Sequence, residues 1–383
     1  MIWRCDLSRQ HPDFKEEVLA AVARVMESGV YVLGPEVRQF EEEFAAYNGS
    51  AHCVAVANAT DGLTLALMAL GIGAGDEVIT TPFTAIPTVS AIVDSGAKPV
   101  FVDIDRDTYL LDAKQALAAV TPRTKAVMPV HIFGNVFDAA QLRKQLPAHV
   151  AVVEDAAQAH GASLGGVKAG AMGDLGVFSF YPTKNLGAYG DGGAVITHQP
   201  ELAARLRKLR MFGMVDKDHI DSAGINSRLD EVQAAVLRIK LRQLERMNAQ
   251  RRVIADRYQQ CLPKDIFRFQ RIRQNAVGNY HVFVTEVADH RDELMAYLGR
   301  RDIQTNIYYP LPLSRQKALA SLGHKASDFP VAEEVCRHIM ALPMYPEFPE
   351  SEQMTVIDAV KDFFGTGARQ PASTTPAAAT ATA

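Results

Sequence analysis

Between residues 52 and 197 the chain repeats one pattern: a short apolar run, a turn, then a segment with helical spacing. The apolar runs are His52–Ala57, Glu77–Thr81, Lys98–Ile104, Ala126–Ile132, Val150–Glu154, Leu175–Phe180 and Gly193–Thr197. Short, nearly continuous runs of this kind read as strands covered on both faces. The segments between them include Leu63–Leu70, Ile86–Asp94, Asp112–Ala119 and Ala139–Leu146, all with helical spacing. Parallel strands need crossovers, and helices supply them. The pattern predicts an α/β fold with a mostly parallel sheet between helical layers. Sheets of this type bind ligands beyond the C-terminal ends of their strands. Thr60, Asp155 and Lys184 all fall at such ends.

The flanking segments suggest two domains. Glu16–Met26 has helical periodicity, and Pro35 fits the first turn of a second helix. From Leu229 to Leu262 one long helix is expected, with Leu229, Val232, Val236, Ile239, Leu244 and Met247 on its apolar face. Beyond it, Tyr280–Val287 and Ile303–Tyr309 read as strands. Arg291–Arg300, Val331–Met340 and Ser351–Phe364 read as helices. The expected division is a large domain over residues 1–245 and a smaller α+β domain over 246–365. Residues 366–383 are mostly Ala, Thr, Ser and Pro and cannot bury a core, so a disordered tail is expected.

Charge and cysteine usage narrow the function. Net charge is -4, so no basic excess points to nucleic acid or an anionic membrane. Cys5, Cys53, Cys261 and Cys336 form no CxxC pair and read as reduced thiols of a cytoplasmic protein. The histidines are scattered without ligand spacing, so no metal site is expected. No apolar run is long enough to span a bilayer, and Met1–Gln10 lacks a signal core.

The residues at the strand ends carry specific chemistry. Lys184 follows the apolar run Phe178-Ser179-Phe180 and precedes the glycine-rich stretch Gly187–Gly193. A lysine desolvated in such a pocket loses its proton readily, as an amine that attacks a carbonyl must. Taken alone, it also reads as a solvated loop residue. Asp155 closes Val152-Val153-Glu154. It can keep a pyridine nitrogen protonated or cap a helix. Thr60 and Asp61 open a helix whose free amides suit a phosphate, and Ser179 adds a hydroxyl. His131 and His160 read as structural. One ligand would use the whole set: pyridoxal 5'-phosphate (PLP).

The same residues carry a family resemblance. From about Val22 to Phe364 the chain resembles the sugar aminotransferases of the DegT/DnrJ/EryC1/StrS group, within the aspartate aminotransferase (type I) fold superfamily. The matching segments are Gly34–Val37 with Phe40-Glu41, Asn58–Leu63, Pro99–Ile104, Pro129–Gly134, Glu154–Gly161, Phe178–Gly193, Gly224–Glu231 and Tyr308–Pro312. The resemblance implies a large PLP-binding domain with a mixed, mostly parallel sheet. It makes Lys184 the Schiff-base lysine, Asp155 the partner of the ring nitrogen and Gln158 the neighbour of the ring hydroxyl. Thr60, the Asp61 amide and Ser179 become phosphate ligands. Asn226 resembles an asparagine that reaches the phosphate from a neighbouring subunit, which implies a homodimer with shared sites. From sequence alone Asn226 also reads as a cap of the long helix.

The implied reaction moves an amino group from an amino acid, by resemblance L-glutamate, to a nucleotide-linked keto-sugar. Tyr31, Tyr181, Tyr308 and Tyr309 are candidates for contact with that sugar nucleotide. A keto-cyclitol acceptor, or a cofactor-binding regulatory protein without turnover, are the alternatives. Relatives with histidine in place of the lysine dehydrate sugars, and Lys184 argues against that chemistry. Four positions depart from the family pattern. Ala85 stands where an aromatic stacks on the cofactor ring, and Ala59 replaces a glycine. Tyr308 replaces a histidine, and Met211-Phe212 replaces a more polar pair.

Overall fold

The computed structural model describes residues 1–366. The expected disordered tail lies outside them apart from Thr366. Helices α1 (His11–Ser28) and α2 (Pro35–Asn48) each begin with a proline in the first turn and stop at a glycine of positive φ, Gly29 and Gly49. Then come β1 (His52–Val56), α3 (Ala59–Ala69), β2 (Glu77–Thr80), α4 (Ile86–Asp94) and β3 (Lys98–Phe101). They are followed by α5 (Ala113–Ala118), β4 (Thr124–Val127), α6 (Ala139–Gln145) and β5 (Ala151–Asp155). A small hairpin, β6 (Ser163–Leu164) and β7 (Val167–Lys168), leads to β8 (Leu175–Ser179), β9 (Gly193–Thr197) and α7 (Pro200–Leu209).

The expected sheet is present. Its seven strands lie in the order β1-β9-β8-β5-β4-β2-β3. The pairs β3–β2, β2–β4, β4–β5 and β5–β8 are parallel, and β9 runs antiparallel to both β8 and β1. Every residue of β2, β8 and β9 is buried. Strand alternation sends Val177 and Val195 to the α3, α4 and α7 side. Phe178 and Ile196 go to the opposite face, against α1 and α2.

The long helix expected from Leu229 to Leu262 is two helices, α8 (Glu231–Leu241) and α9 (Leu244–Cys261). Val236, Ile239, Leu244 and Met247 pack on the large sheet's layer, whereas Ile254, Ala255 and Tyr258 join a second core. Both halves bury a face, so the apolar spacing continues across the break and conceals it.

The second core surrounds a three-stranded antiparallel sheet of β10 (Phe267–Phe269), β12 (Phe283–Val287) and β13 (Ile339–Leu342), while β11 (Ala276–Val277) pairs with β6. Helices α10 (Arg291–Gly299) and α11 (Pro330–His338) precede β13. Helix α12 is Glu350–Thr366. Two expectations fail here. Ile303–Tyr309 makes only isolated bridges, Ile303 to Ile2 and Asn306 to Ala341. The strand instead comes from Ile339–Leu342, where the expected helix stops at His338. A fully buried four-residue run has no alternation to separate strand from helix. Among the described residues no helix is long and apolar enough to cross a membrane.

Candidate active site

Three strand ends meet. Asp155 closes β5 and pairs with Val177 of β8, two residues before Ser179. Gly193 opens β9 opposite both Ser179 and Val56. A Cβ on Gly193 would stand 2.6 Å from the carbonyl carbon of Asn58. Only glycine therefore lets the first turn of α3 close on the strand ends, which brings Asn58–Thr60 to the end of β8. The Asn58 side chain caps α3 by accepting from the Asp61 amide at 2.9 Å. The Asp61 amide, expected as a phosphate donor, is therefore engaged. Ala59 and Thr60 are the amides of that turn without an intrahelical acceptor. Ala59 has no positive φ, so alanine fits here without backbone strain.

The lysine loop is held tightly. Lys184 N–H donates to Tyr181 O and Ala188 N–H to Phe180 O, both at 2.8 Å. A Cβ on Gly187 would lie 2.3 Å from Pro182 O. Buried Lys240, from α8, donates through Nζ to Gly187 O at 2.5 Å. Burial lowers Lys184 from its ordinary value near 10.5 to about 8, with the Asp155 charge opposing the shift. At pH 7 about a tenth of such a group is free amine, against roughly three in ten thousand for a solvated lysine.

Asp155 is buried. Its Oδ2 accepts from Thr88 Oγ1 at 2.7 Å and its Oδ1 from the Ala157 amide at 3.1 Å. Burial raises its carboxyl above the usual range, and the Thr88 hydroxyl, the Ala157 amide and the Lys184 charge pull it back. Only a turn follows Asp155, so it caps no helix.

The two histidines differ. His131 Nδ1 accepts from the Phe137 amide at 3.0 Å, which puts its proton on Nε2, 2.8 Å from Glu154 Oε2. Glu154 also accepts from the amides of Gly170, Met172 and Gly173 at 2.6–2.9 Å. His160 packs against Phe178 and Phe180. Burial, then the Lys184 charge, drive it down to about 3, so its ring is neutral.

Gln158 is already bonded on both sides. Its Oε1 accepts from the Phe133 amide at 2.8 Å and its Nε2 donates to the Tyr309 hydroxyl at 2.9 Å. Phe133 and Tyr309 stack at 5.7 Å and both have positive φ, 58° and 57°. Such strain in a non-glycine residue costs about 1–3 kcal/mol and clusters at functional sites.

The other expected residues are less gathered. Tyr308 accepts from the Arg4 guanidinium, which also lies 5.4 Å from its ring centroid. Tyr31 and Tyr181 are 55% and 53% exposed. Asn226 is exposed and caps no helix, because Asp230 is the N-cap of α8. Ala85 is the N-cap of α4, and the buried ring nearest in sequence is Phe83, packed on Tyr109, Phe133 and Tyr309. A cavity of about 940 Å³ bordered by Asp105, Lys114 and Arg271 includes none of these site residues. Among the described residues no cluster of three or more His, Cys, Asp or Glu could hold a metal.

Residues 12–361 match the DegT/DnrJ/EryC1/StrS aminotransferase family. The chain belongs to this family. It is 46% identical to dTDP-3-amino-3,4,6-trideoxy-alpha-D-glucose transaminase of Micromonospora megalomicea subsp. nigra, over 91% of this chain and 95% of that one. It is 43% identical to a pleiotropic regulatory protein of Geobacillus stearothermophilus, over 94% and 97%. Among solved structures, S. venezuelae DesV in complex with a ketimine intermediate superposes with a TM-score of 0.91 at 42% identity, covering 94% of this chain and 98% of that one. The fold is that of the type I PLP aminotransferases, and the chain is a PLP-dependent aminotransferase.

The geometry fits the DegT/DnrJ/EryC1/StrS cofactor. A buried carboxylate, a desolvated lysine and a glycine-floored turn of free amides match a ring nitrogen, an aldehyde and a phosphate. Sequence reasoning missed Thr88, Lys240, Asn185, Asn248, Asn279 and His281. Thr88 recurs one helical turn after Thr84, to which it is hydrogen-bonded at 2.9 Å. Asn185 adjoins Lys184, but asparagine in a glycine-rich loop reads as a turn former.

Proposed function

We propose that this aminotransferase moves an amino group from L-glutamate to a keto-sugar linked to a nucleoside diphosphate, giving an amino sugar. The observation that carries the reading is the desolvated Lys184 amine within electrostatic reach of buried Asp155. The sugar nucleotide is supported by the dTDP-sugar relative and by a 38% identical P. aeruginosa aminotransferase named for a UDP-linked 3-oxo sugar.

We assign the roles as follows. Thr60, Ser179 and the first-turn amides of α3, with the partner subunit's Asn226, hold the phosphate. Asp155 keeps the ring nitrogen protonated, and Gln158 lies near the ring hydroxyl. Bound there, PLP supplies the sink for the electron pair left when the donor loses its Cα proton. Lys184, free as an amine, takes that proton and hands it on, then serves the acceptor by the reverse steps. We assign Tyr31, Tyr181, Tyr308 and Tyr309 to contact with the sugar nucleotide.

The homodimer is supported by exposed apolar groups near the site. Phe212 and Ile220 are 44% and 66% exposed, as are Tyr31 and Tyr181 at 55% and 53%. The Tyr31 segment meets the start of α8 through the Tyr31 O–Glu231 N bond at 3.0 Å, and the Phe212 segment meets Asn226 through the Met211–Asn226 bridge. A cytoplasmic location suits reduced cysteines. We place the domain boundary near residue 245, just after the α8–α9 break.

Two half-reactions test the proposal. L-Glutamate alone should convert the visible spectrum to that of the pyridoxamine form and release 2-oxoglutarate. A dTDP- or UDP-linked keto-sugar should then restore the first spectrum. Restoration by a keto-inositol but by no sugar nucleotide would favour the cyclitol reading. No change with any donor would point to a regulatory protein.

A further inference from the structure

Buried polar groups behind Lys184 that the reaction does not use form one connected set. Asn185 Nδ2 donates to Asn248 Oδ1 at 2.8 Å and to Asn279 O at 3.0 Å. Both its N–H groups are then spent, so its Oδ1 is the acceptor for His281 Nδ1 at 3.2 Å. Asn248 Nδ2 donates to His160 O at 2.8 Å. Asn279 Nδ2 donates to Gln158 O and His160 O, both at 3.0 Å. His281 N–H lies 3.0 Å from Asn279 Oδ1 and 3.1 Å from Phe133 O. Asn185 is 3% exposed, and Asn248 and Asn279 are fully buried.

This network starts beside Lys184. It ends on the backbone that follows Asp155 and on Phe133, the residue held by the Gln158 side chain. Its middle comes from elsewhere. Asn248 sits on α9, and Asn279 and His281 sit on the segment entering β12. A satisfied buried polar network fixes one arrangement, and nothing here allows sliding. A Cβ on Gly134 would lie 1.8 Å from Asn279 Oδ1. His281 adds no charge, because burial drives it well below the ordinary histidine range.

We propose that Asn185 is a positioning residue. Through Asn248 and Asn279 it fixes the lysine loop against the Asp155–Gln158 wall, so that elements of the smaller domain set where the Lys184 amine stands. This rests on Lys184 being the cofactor-bearing lysine. A displacement of about 1 Å at a reacting group lowers rate by roughly 100-fold.

The test uses the holoenzyme and the variants Asn185→Ala, Asn248→Ala and the double. Asn248→Ala removes a partner without touching the lysine loop, so it decides the matter alone if Asn185→Ala does not fold. Each variant should lower kcat by about 10- to 100-fold while changing donor KM far less. Each should also move the pH midpoint of the resting enzyme's visible absorbance by about half a unit or more. The double variant should be no worse than Asn185→Ala, because both act through one tie. Wild-type kcat and spectral midpoint with only a lower Tm would overturn the proposal, as would losses that add in the double variant. A wild-type enzyme lacking the visible absorbance would instead overturn the assignment of Lys184.

Discussion

Replacing Lys184 by alanine should lower turnover by about 10⁴-fold or more, because under the proposed roles the variant loses both the covalent anchor and the proton-transferring amine. The resting enzyme should also lose its visible absorbance. The surroundings should survive. Asp155 keeps its bonds to Thr88 and Ala157, and the lysine loop is held by backbone bonds and by Lys240 rather than by the Lys184 side chain. Melting temperature should therefore fall by only a few degrees, since every hydrogen bond of the loop and of Asp155 is kept and only the Lys184 charge is lost. Steady-state assays with a sugar-nucleotide acceptor and thermal melts read both halves. Multiple turnovers by Lys184→Ala at near wild-type rate would show that another group moves the proton.

Glu154→Ala should produce the largest loss of stability. Glu154 is fully buried and accepts from three backbone amides and from His131 Nε2. Alanine leaves those donors without an acceptor. Each unsatisfied buried donor costs about 1–3 kcal/mol, and breaking a buried network of this kind costs roughly 3–5 kcal/mol in all. Glu154→Gln keeps one acceptor oxygen and should lose about half as much. Differential scanning calorimetry of the two variants should rank them in that order below the wild type. An alanine variant that melts with the wild type would mean that water or a neighbouring carbonyl takes over those donors.

Fold class was legible because the apolar runs follow elementary rules. Continuous burial marks parallel strands, and Pro35 with Gly49 marks the limits of α2. The failures share one cause. Ile339–Leu342 is apolar throughout and carries no period of its own, so only its pairing with β12 makes it a strand. The α8–α9 break is hidden because Leu244 and Met247 of α9 continue the face that α8 buries on the first core, and only later α9 residues turn to the second. At the candidate site, Lys184, Asp155, Ser179 and Thr60 stand out in the sequence because each lies at or just after a strand end. Gln158 was visible only through the family resemblance. Its bonds to Phe133 and Tyr309, and the Asn185–Asn248 bond, join residues 25, 151 and 63 positions apart, which no local pattern reports. The Asp61 amide shows a side-chain cap that the helix pattern does not report. Its place in the helix start was right, but the Asn58 side chain claims its hydrogen.

The most direct measurement is on the wild-type enzyme with its vitamin B6 cofactor. Borohydride reduction followed by protease digestion and mass spectrometry should find a phosphopyridoxyl group on the peptide containing Lys184. A label on any other lysine, or no label, would contradict the central assignment.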